Sequence, residues 1–507
     1  MGSRCVIIGA GLGGLSCGAV LARHGFSVTV IEQGKQPGGC LQTFVRDGLK
    51  FETGMHFIGS AAQGEILDSL FRYLGIREGL ELHELDRNGY EIVTYKGQDF
   101  PFRNGRDAFV EGLAEFFPRQ RDNLARYMDT VLRASAASSV ESFNPGRVMD
   151  PEDAVWHTLS VDSVIDGITD DPDLRQVLAG NQPLYAGVKG HTPFALHAFI
   201  TSFYNRSAWR IAGGSDTIAR LLAGRITGAG GSVMTGCKTV EIVCDETRAT
   251  GIRYMESGEE HLIEADYVIS TIHPSLTVGM VHSPLFRPAF RKRIQEMPDT
   301  IGVFELYLKF KKNTVPYMNA NRFVYTTGSV WGCDRYTTED WPRGFLYMHQ
   351  WPQGDSRYAD AGVILVYMRC DDLMAWNGTL TGRRGDDYRE FKRLKAERLL
   401  ATASEYIPGL RDGVERYWTS TPLTYRDYTG ASGGGLYGIA KDVELGQSGR
   451  VSYRTRVRNL LLAGQSVNSH GILGVLVGSM VVCDSLLGNG VLYDGIRRAS
   501  NESEWKL

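Results

Sequence analysis

The chain has 507 residues, with 55 Lys and Arg against 58 Asp and Glu, a net charge of −3, a pI near 6.4 and a mean hydropathy of −0.19. It is long enough to bury a sizeable core, expected as two intimately connected domains, and it has no basic field, which excludes nucleic acid as a partner. No run reaches the ~18 uninterrupted apolar residues of a membrane-spanning helix. The first strand starts almost at once, which is read as leaving no room for a signal peptide. The eight cysteines (5, 17, 40, 237, 244, 333, 370 and 483) form no C-x-x-C pair. They are read as reduced thiols of a cytoplasmic protein, not a disulfide frame or a metal site.

The first elements in chain order carry the strongest signal. Arg4 to Ile8 reads as a buried strand, followed by Gly9-Ala10-Gly11-Leu12-Gly13-Gly14, a helix, and a second strand Val28 to Ile31 that ends on Glu32 and Gln33. In a G-x-G-x-x-G turn the first glycine permits the tight turn and the second lets the backbone approach a pyrophosphate. The third lets the helix pack on the sheet. The helix N-terminus offers free N–H groups and a positive dipole end to phosphates. Glu32 stands where a carboxylate accepts from ribose hydroxyls. Together these parts predict a dinucleotide site.

The next segment says which dinucleotide. Pro37-Gly38-Gly39-Cys40 follows the second strand, and then come Thr43-Phe44, Gly48 and Phe51-Glu52-Thr53-Gly54-Met55-His56-Phe57. The stretch from Gly39 to Gly59 resembles the retinol saturase, carotenoid isomerase and phytoene desaturase group of FAD flavoproteins, and looks closest to the saturase branch. The resemblance implies FAD, with Gly38, Gly39, Cys40, Gly54, Met55 and His56 running beside the flavin. Cys40 is read as a small packing residue in preference to a redox thiol.

Helices are expected over Glu65 to Leu74, Asp107 to Arg133 and Pro172 to Leu178, with Pro172 at its first position. Gly213-Gly214 then leads into a helix from Asp216 to Arg225. Ser232 to Val243 and Ala249 to Tyr254 read as paired strands, and Ala265 to Thr271 as a buried strand. By the resemblance this block returns to the cofactor, with the backbone of Thr239 or Val240 at the adenine; plain strand packing is the other reading of those two. Val303 to Phe310 alternates like a half-buried strand, Gly362 to Met368 is a continuous apolar strand, and Asp386 to Tyr406 is an amphipathic helix. Trp331, Trp341, Trp351, Trp376, Tyr185, Tyr204 and Trp209 either line an apolar tunnel or sit in the core.

The last signal is Asn459 to Ala463, a buried strand ending at Gly464-Gln465, followed by Gly471-Ile472-Leu473 and a small-residue-rich apolar helix. The resemblance places that helix's N-terminus at the flavin pyrimidine. There N–H groups and the dipole stabilise the charge of reduced flavin. Many FAD oxidoreductases carry an acid where this chain has Gln465, whose amide still bonds ribityl hydroxyls.

The expected fold is α/β: a Rossmann-like FAD domain (1–60, 205–275, 450–490) interleaved with an α+β substrate domain (61–204, 276–449), plus a polar tail over 491–507. One dinucleotide fingerprint, used by FAD, leaves the electrons to an external donor or acceptor: a quinone, a separate reductase or NAD(P)H. The resemblance implies saturation or desaturation of carbon–carbon double bonds in a hydrophobic retinoid or carotenoid by hydride transfer at flavin N5. It also implies peripheral contact with the membrane that dissolves such a substrate. His56 is the first acid/base candidate, or else it orients the flavin or a carbonyl; His470 is second and Tyr185 third. Two alternatives stand beside this: a carotenoid cis-trans isomerase using reduced flavin, and an amine oxidase. The latter wants an aromatic cage and often a lysine, which the motif regions do not display.

Overall fold

The computed structural model describes residues 2–137, 151–354, 357–431, 433–467, 469–488 and 490–500. The apolar run Arg4–Ile8 is the centre of a five-stranded parallel sheet. The strand order is Ser232–Thr235, Ser27–Glu32, Arg4–Ile8, Tyr267–Ser270, Leu460–Leu462. Cys5 stands opposite Val28 on one side and Tyr267 on the other. Parallel strands are buried on both faces, which is why these read as unbroken apolar runs. The helix Leu12–Arg23 covers one face, packed between Asp216–Gly228 and Gly471–Leu487.

Ser232 to Val243 is not one strand of a hairpin. Ser232–Thr235 joins the parallel sheet beside Ser27–Glu32, and after Gly236 the chain starts a second strand, Cys237–Cys244. That strand pairs antiparallel with Ala249–Glu256. A single glycine at positive φ (73°) makes the break.

A seven-stranded mixed sheet forms the second body. Its order is Val414–Ser420, Gly302–Phe310, Ala361–Met368, Gly344–His349, Asn321–Tyr325, Glu91–Tyr95, Gln98–Phe102. Tyr307, Leu365 and Tyr367 face the main core from one side. Phe304, Leu306 and Ile364 meet Leu399 and Ala403 of the helix Gly385–Tyr406 on the other. The strand expected as half-buried is therefore covered on both faces, and its Glu305 is fully buried.

Helices Arg106–Ala114, Arg121–Ala136, Val161–Ile168, Pro172–Leu178 and Phe194–Arg206 pack beside that sheet. The single helix expected over Asp107 to Arg133 is split, because Pro118 starts a short 3-10 turn between the two. Pro172 takes the first position of its helix, and the Asp171 carboxylate caps it by accepting from the N–H of Asp173 and of Leu174. The residues expected to begin a polar tail instead form the helix Val491–Ser500, with Leu492 and Ile496 buried against Ile66–Tyr73; residues 501–507 lie outside the described ones.

Candidate active site

The parallel strands deliver their C-terminal ends to one cleft, the edge of an α/β sheet where ligands bind. Gly9, Gly11, Leu12, Gly13, Glu32, Gln33, Gly38, Gly39, Cys40, Gly54, Met55, Thr239, Gly464, Gln465, Gly471 and Ile472 all line it. Residues from early and late segments of the chain thus line one cleft.

The cleft has the chemistry of a dinucleotide cradle. A Cβ on Gly11 would find nothing nearer than the Cα of Gly39 at 4.0 Å, so the turn faces open space. A Cβ on Gly14 would lie 1.9 Å from the carbonyl oxygen of Gly9, so the helix meets the turn through bare backbone. Helix Leu12–Arg23 begins at Gly11 with no side-chain cap and no acid in its first turn, and helix Gly471–Leu487 begins the same way at His470. Two sets of unclaimed N–H groups and two positive dipole ends therefore converge on the cleft. The Thr239 hydroxyl is buried there without a hydrogen-bond partner among the described residues.

Glu32 does more than expected. Its Oε2 accepts from the N–H of Ala10 (2.9 Å) and its Oε1 from the N–H of Gly34 (2.7 Å). The carboxylate ties the glycine turn to the end of the second strand and keeps lone pairs for a ribose hydroxyl. Ala10, Gly14, Val240 and Leu473 supply no wall: Ala10 and Leu473 are buried in the core, Gly14 packs on Gly9, and Val240 is exposed. Of Thr239 and Val240, Thr239 lines the cleft.

His56 lies behind the wall, its side chain 8% exposed. Nδ1 is 3.9 Å from Glu52 Oε2 and Nε2 is 3.7 Å from Glu305 Oε1, and neither nitrogen makes a hydrogen bond among the described residues. Burial raises the Glu52 carboxyl above the usual carboxylate range. Glu305 accepts from the hydroxyls of Tyr307, Ser420 (2.8 Å) and Tyr425 (3.0 Å). Tyr425 reaches the cleft, so it connects the buried acid to the cofactor side. Burial and the nearby Glu305 charge push the Cys40 thiol up to about 11, which leaves it protonated and unreactive.

His470 sits beside the cleft, its ring 4.4 Å from that of Tyr437, and its Nε2 lies 3.3 Å from the Leu184 carbonyl. Burial holds it down to about 4, so it is neutral at pH 7. Tyr185 is directed elsewhere: its hydroxyl bonds His197 Nδ1 at 2.9 Å inside the helical part. None of the seven aromatics weighed for a tunnel lines the cleft. Glu52, Glu305, Tyr425 and Tyr437 are site residues that the sequence reading did not single out, although Glu52 stands in the stretch Phe51 to Phe57; for Glu305 the one signal was a polar residue inside an apolar strand.

The whole-chain comparisons agree with this geometry. The chain is 27% identical over 96% of its length to the all-trans-retinol 13,14-reductase of Rattus norvegicus, covering 86% of that protein. It is 22% identical over 94% to prolycopene isomerase 1 of an Oncidium hybrid cultivar, covering 82% of it. Its fold matches putrescine oxidase with a TM-score of 0.65 at 15% identity, covering 96% of this chain and 99% of that one. The family model for flavin containing amine oxidoreductases matches residues 12–476. Its cofactor is FAD and its chemistry that of an oxidoreductase: the chain belongs to the flavin containing amine oxidoreductase family.

Proposed function

We propose that the protein transfers hydride between FAD and a carbon–carbon double bond of a hydrophobic polyene or isoprenoid, a retinoid or carotenoid, in the saturating direction first. The observation that carries this is the match to a retinol 13,14-reductase along 96% of the chain, joined to a cleft that fits FAD. Cis-trans isomerisation with reduced flavin is the second reading, supported by the match to a prolycopene isomerase.

When bound, FAD supplies hydride donation and acceptance at its flavin ring. The residues of the chain do the rest. The turn Gly9 to Gly14 and its helix hold the pyrophosphate, Glu32 and Gln33 face the ribose, and Thr239 faces the adenine end. Gln465 bonds the ribityl chain, and the Gly471 helix end steadies negative charge on the pyrimidine. Gly38, Gly39, Cys40, Gly54 and Met55 shape the flank of the ring. Saturation needs a proton on the second carbon; His56, beside Glu52 and 3.7 Å from Glu305, is our candidate to supply it, with Glu305 and the Tyr425 hydroxyl that bonds it as the path to the cleft. His470, neutral and packed against the Tyr437 ring, shapes the cleft. Electrons come from an external partner: a quinone, a reductase or NAD(P)H.

Among the described residues no helix is long and apolar enough to cross a membrane. We place the protein in the cytoplasm, meeting its substrate by peripheral contact with the bilayer. Anaerobic reduction followed by mixing with retinoids and carotenoids tests the function. Flavin reoxidation with a product two hydrogens heavier is expected. Unchanged product mass with a shifted retention time would assign the isomerase. Inert polyenes together with bleaching of oxidised flavin by an amine would overturn both.

A further inference from the structure

A second cavity opens beyond Gly39 and Cys40, sharing them and Tyr425, Tyr428 and Thr429 with the cofactor cleft. One wall is aromatic, with Phe44 set edge-on to Tyr307 at 4.8 Å and Trp418 packed on Phe51. The opposite wall is cationic. Arg384, Arg389, Lys392 and Arg393 come from the start of the helix Gly385–Tyr406; Arg46 stands on the aromatic side, its guanidinium 5.3 Å from the Phe44 ring centroid. Against these five cations the lining holds one carboxylate, Glu305, already committed to three hydroxyls.

Two of the cations are neutralised on the exposed helix face: Arg389 pairs with Asp386 and Arg393 with Glu390. The other two on that helix are less well matched. The Arg384 side chain is 3% exposed; it pairs with Asp427, a carboxylate it shares with Arg426, its further bonds go to the neutral Thr381 hydroxyl and Leu423 carbonyl, and its Nε has no hydrogen-bond partner among the described residues. Lys392 makes no ion pair among the described residues; its Nζ lies 5.1 Å from the ring centroid of Tyr388, and burial lowers its pKa. Withdrawing cations from water without matching carboxylates is costly, and an anion from outside relieves it. Several cationic centres around one cavity suit a multiply charged oxyanion better than a lone carboxylate.

We propose that this cavity is a phosphate-binding port: Arg384 and Lys392 hold the phosphate or diphosphate of a ligand whose flat or apolar part lies along Phe44, Tyr307 and Trp418, beside the flavin. Two ligands share that chemistry. One is a nicotinamide dinucleotide bringing reducing equivalents; the other is a phosphorylated isoprenoid substrate. The port deepens the function proposed above and rests on it for the flavin next door.

Calorimetric titration of the flavin-loaded protein with inorganic pyrophosphate tests the port directly. Saturable binding is expected, weakening with salt and loosened about tenfold by Lys392→Gln, while flavin absorbance and melting temperature stay unchanged. Absence of binding at millimolar pyrophosphate, or equal affinity in the variant, would overturn the port. An Arg384→Lys variant keeps the charge near Asp427 but loses the fork, and is expected to bind pyrophosphate more weakly. Displacement by NADPH assigns the port to the electron carrier, and displacement by geranylgeranyl diphosphate assigns it to the substrate; displacement by neither counts against it. Polyene turnover, measured separately, bears on the proposed function and leaves the pyrophosphate result standing.

Discussion

Gly11 decides whether a pyrophosphate can approach the turn. The space in front of its Cα holds a Cβ without a clash, so Gly11→Val folds, yet its branched side chain fills the space the phosphates need. Purified Gly11→Val is expected to be colourless with an unchanged far-ultraviolet spectrum; a yellow protein at full occupancy would put the cofactor elsewhere. Glu32 combines two roles, so Glu32→Ala loses both backbone ties and the ribose contact. FAD affinity should fall and the fold should lose about 1–3 kcal/mol, the cost of buried donors left unpaired. Glu32→Gln, which retains one acceptor oxygen, should fall between, as melting with and without added FAD will register. His56→Gln is expected to keep flavin absorbance while reducing saturation by about 10²-fold or more, the usual contribution of a positioned acid. Steady-state turnover measures that, and undiminished turnover would reduce His56 to packing.

Individual elements differ in how openly the sequence displays them. The strand, glycine turn, helix and second strand up to Glu32 are legible because their contacts are local and each residue type has one job. The strand Ser232–Thr235 was hidden in an apparent hairpin, since only Gly236 marks where the chain leaves one sheet for another. Glu305 looked solvent-facing by alternation. Its face, shared with Val303 and Tyr307, is closed by the main core, while the helix Gly385–Tyr406, some 80 residues downstream, covers the opposite face through Phe304 and Leu306; no local pattern announces either contact. The neighbours of Glu305 come from residues 56, 307, 420 and 425, and such convergence belongs to topology. The final helix was likewise masked by its polar residues, yet Leu492 is fully buried and Ile496 nearly so. Truncating either to alanine is expected to cost about 2–5 kcal/mol. Chemical denaturation of Leu492→Ala checks this, since a true tail would show no change.

Across the whole molecule, buried titratable groups set how stability responds to pH. Burial holds His197 and His349 down to about 3 and His470 to about 4, against an ordinary 6.5. Below about pH 6.5 the unfolded chain takes up protons that these folded imidazoles refuse, so stability falls from there towards pH 4. Glu91 acts in the opposite sense, because burial raises its carboxyl from 4.5 to about 8. It favours the folded protein fully below pH 4.5, and that contribution is lost as the pH rises through 8. His157, also held down to about 4, joins the three, and four imidazoles outweigh Glu91 on the acid side, which predicts a stability maximum near pH 6.5, a steep acid limb and a shallow decline up to pH 8. Melting temperatures across pH 4–9 check it; a plateau extending below pH 5 would contradict it.

The order in which the parallel sheet recruits its strands carries a consequence for how the enzyme comes into being. Its members come from residues 4–8, 27–32, 232–235, 267–270 and 460–462, and the second helix end on the cleft starts only at Gly471. A nascent chain therefore displays the glycine turn early and waits through more than four hundred residues for the opposite wall. Stable cofactor capture is therefore expected to wait until the strand Leu460–Leu462 and the helix Gly471–Leu487 have been made and docked.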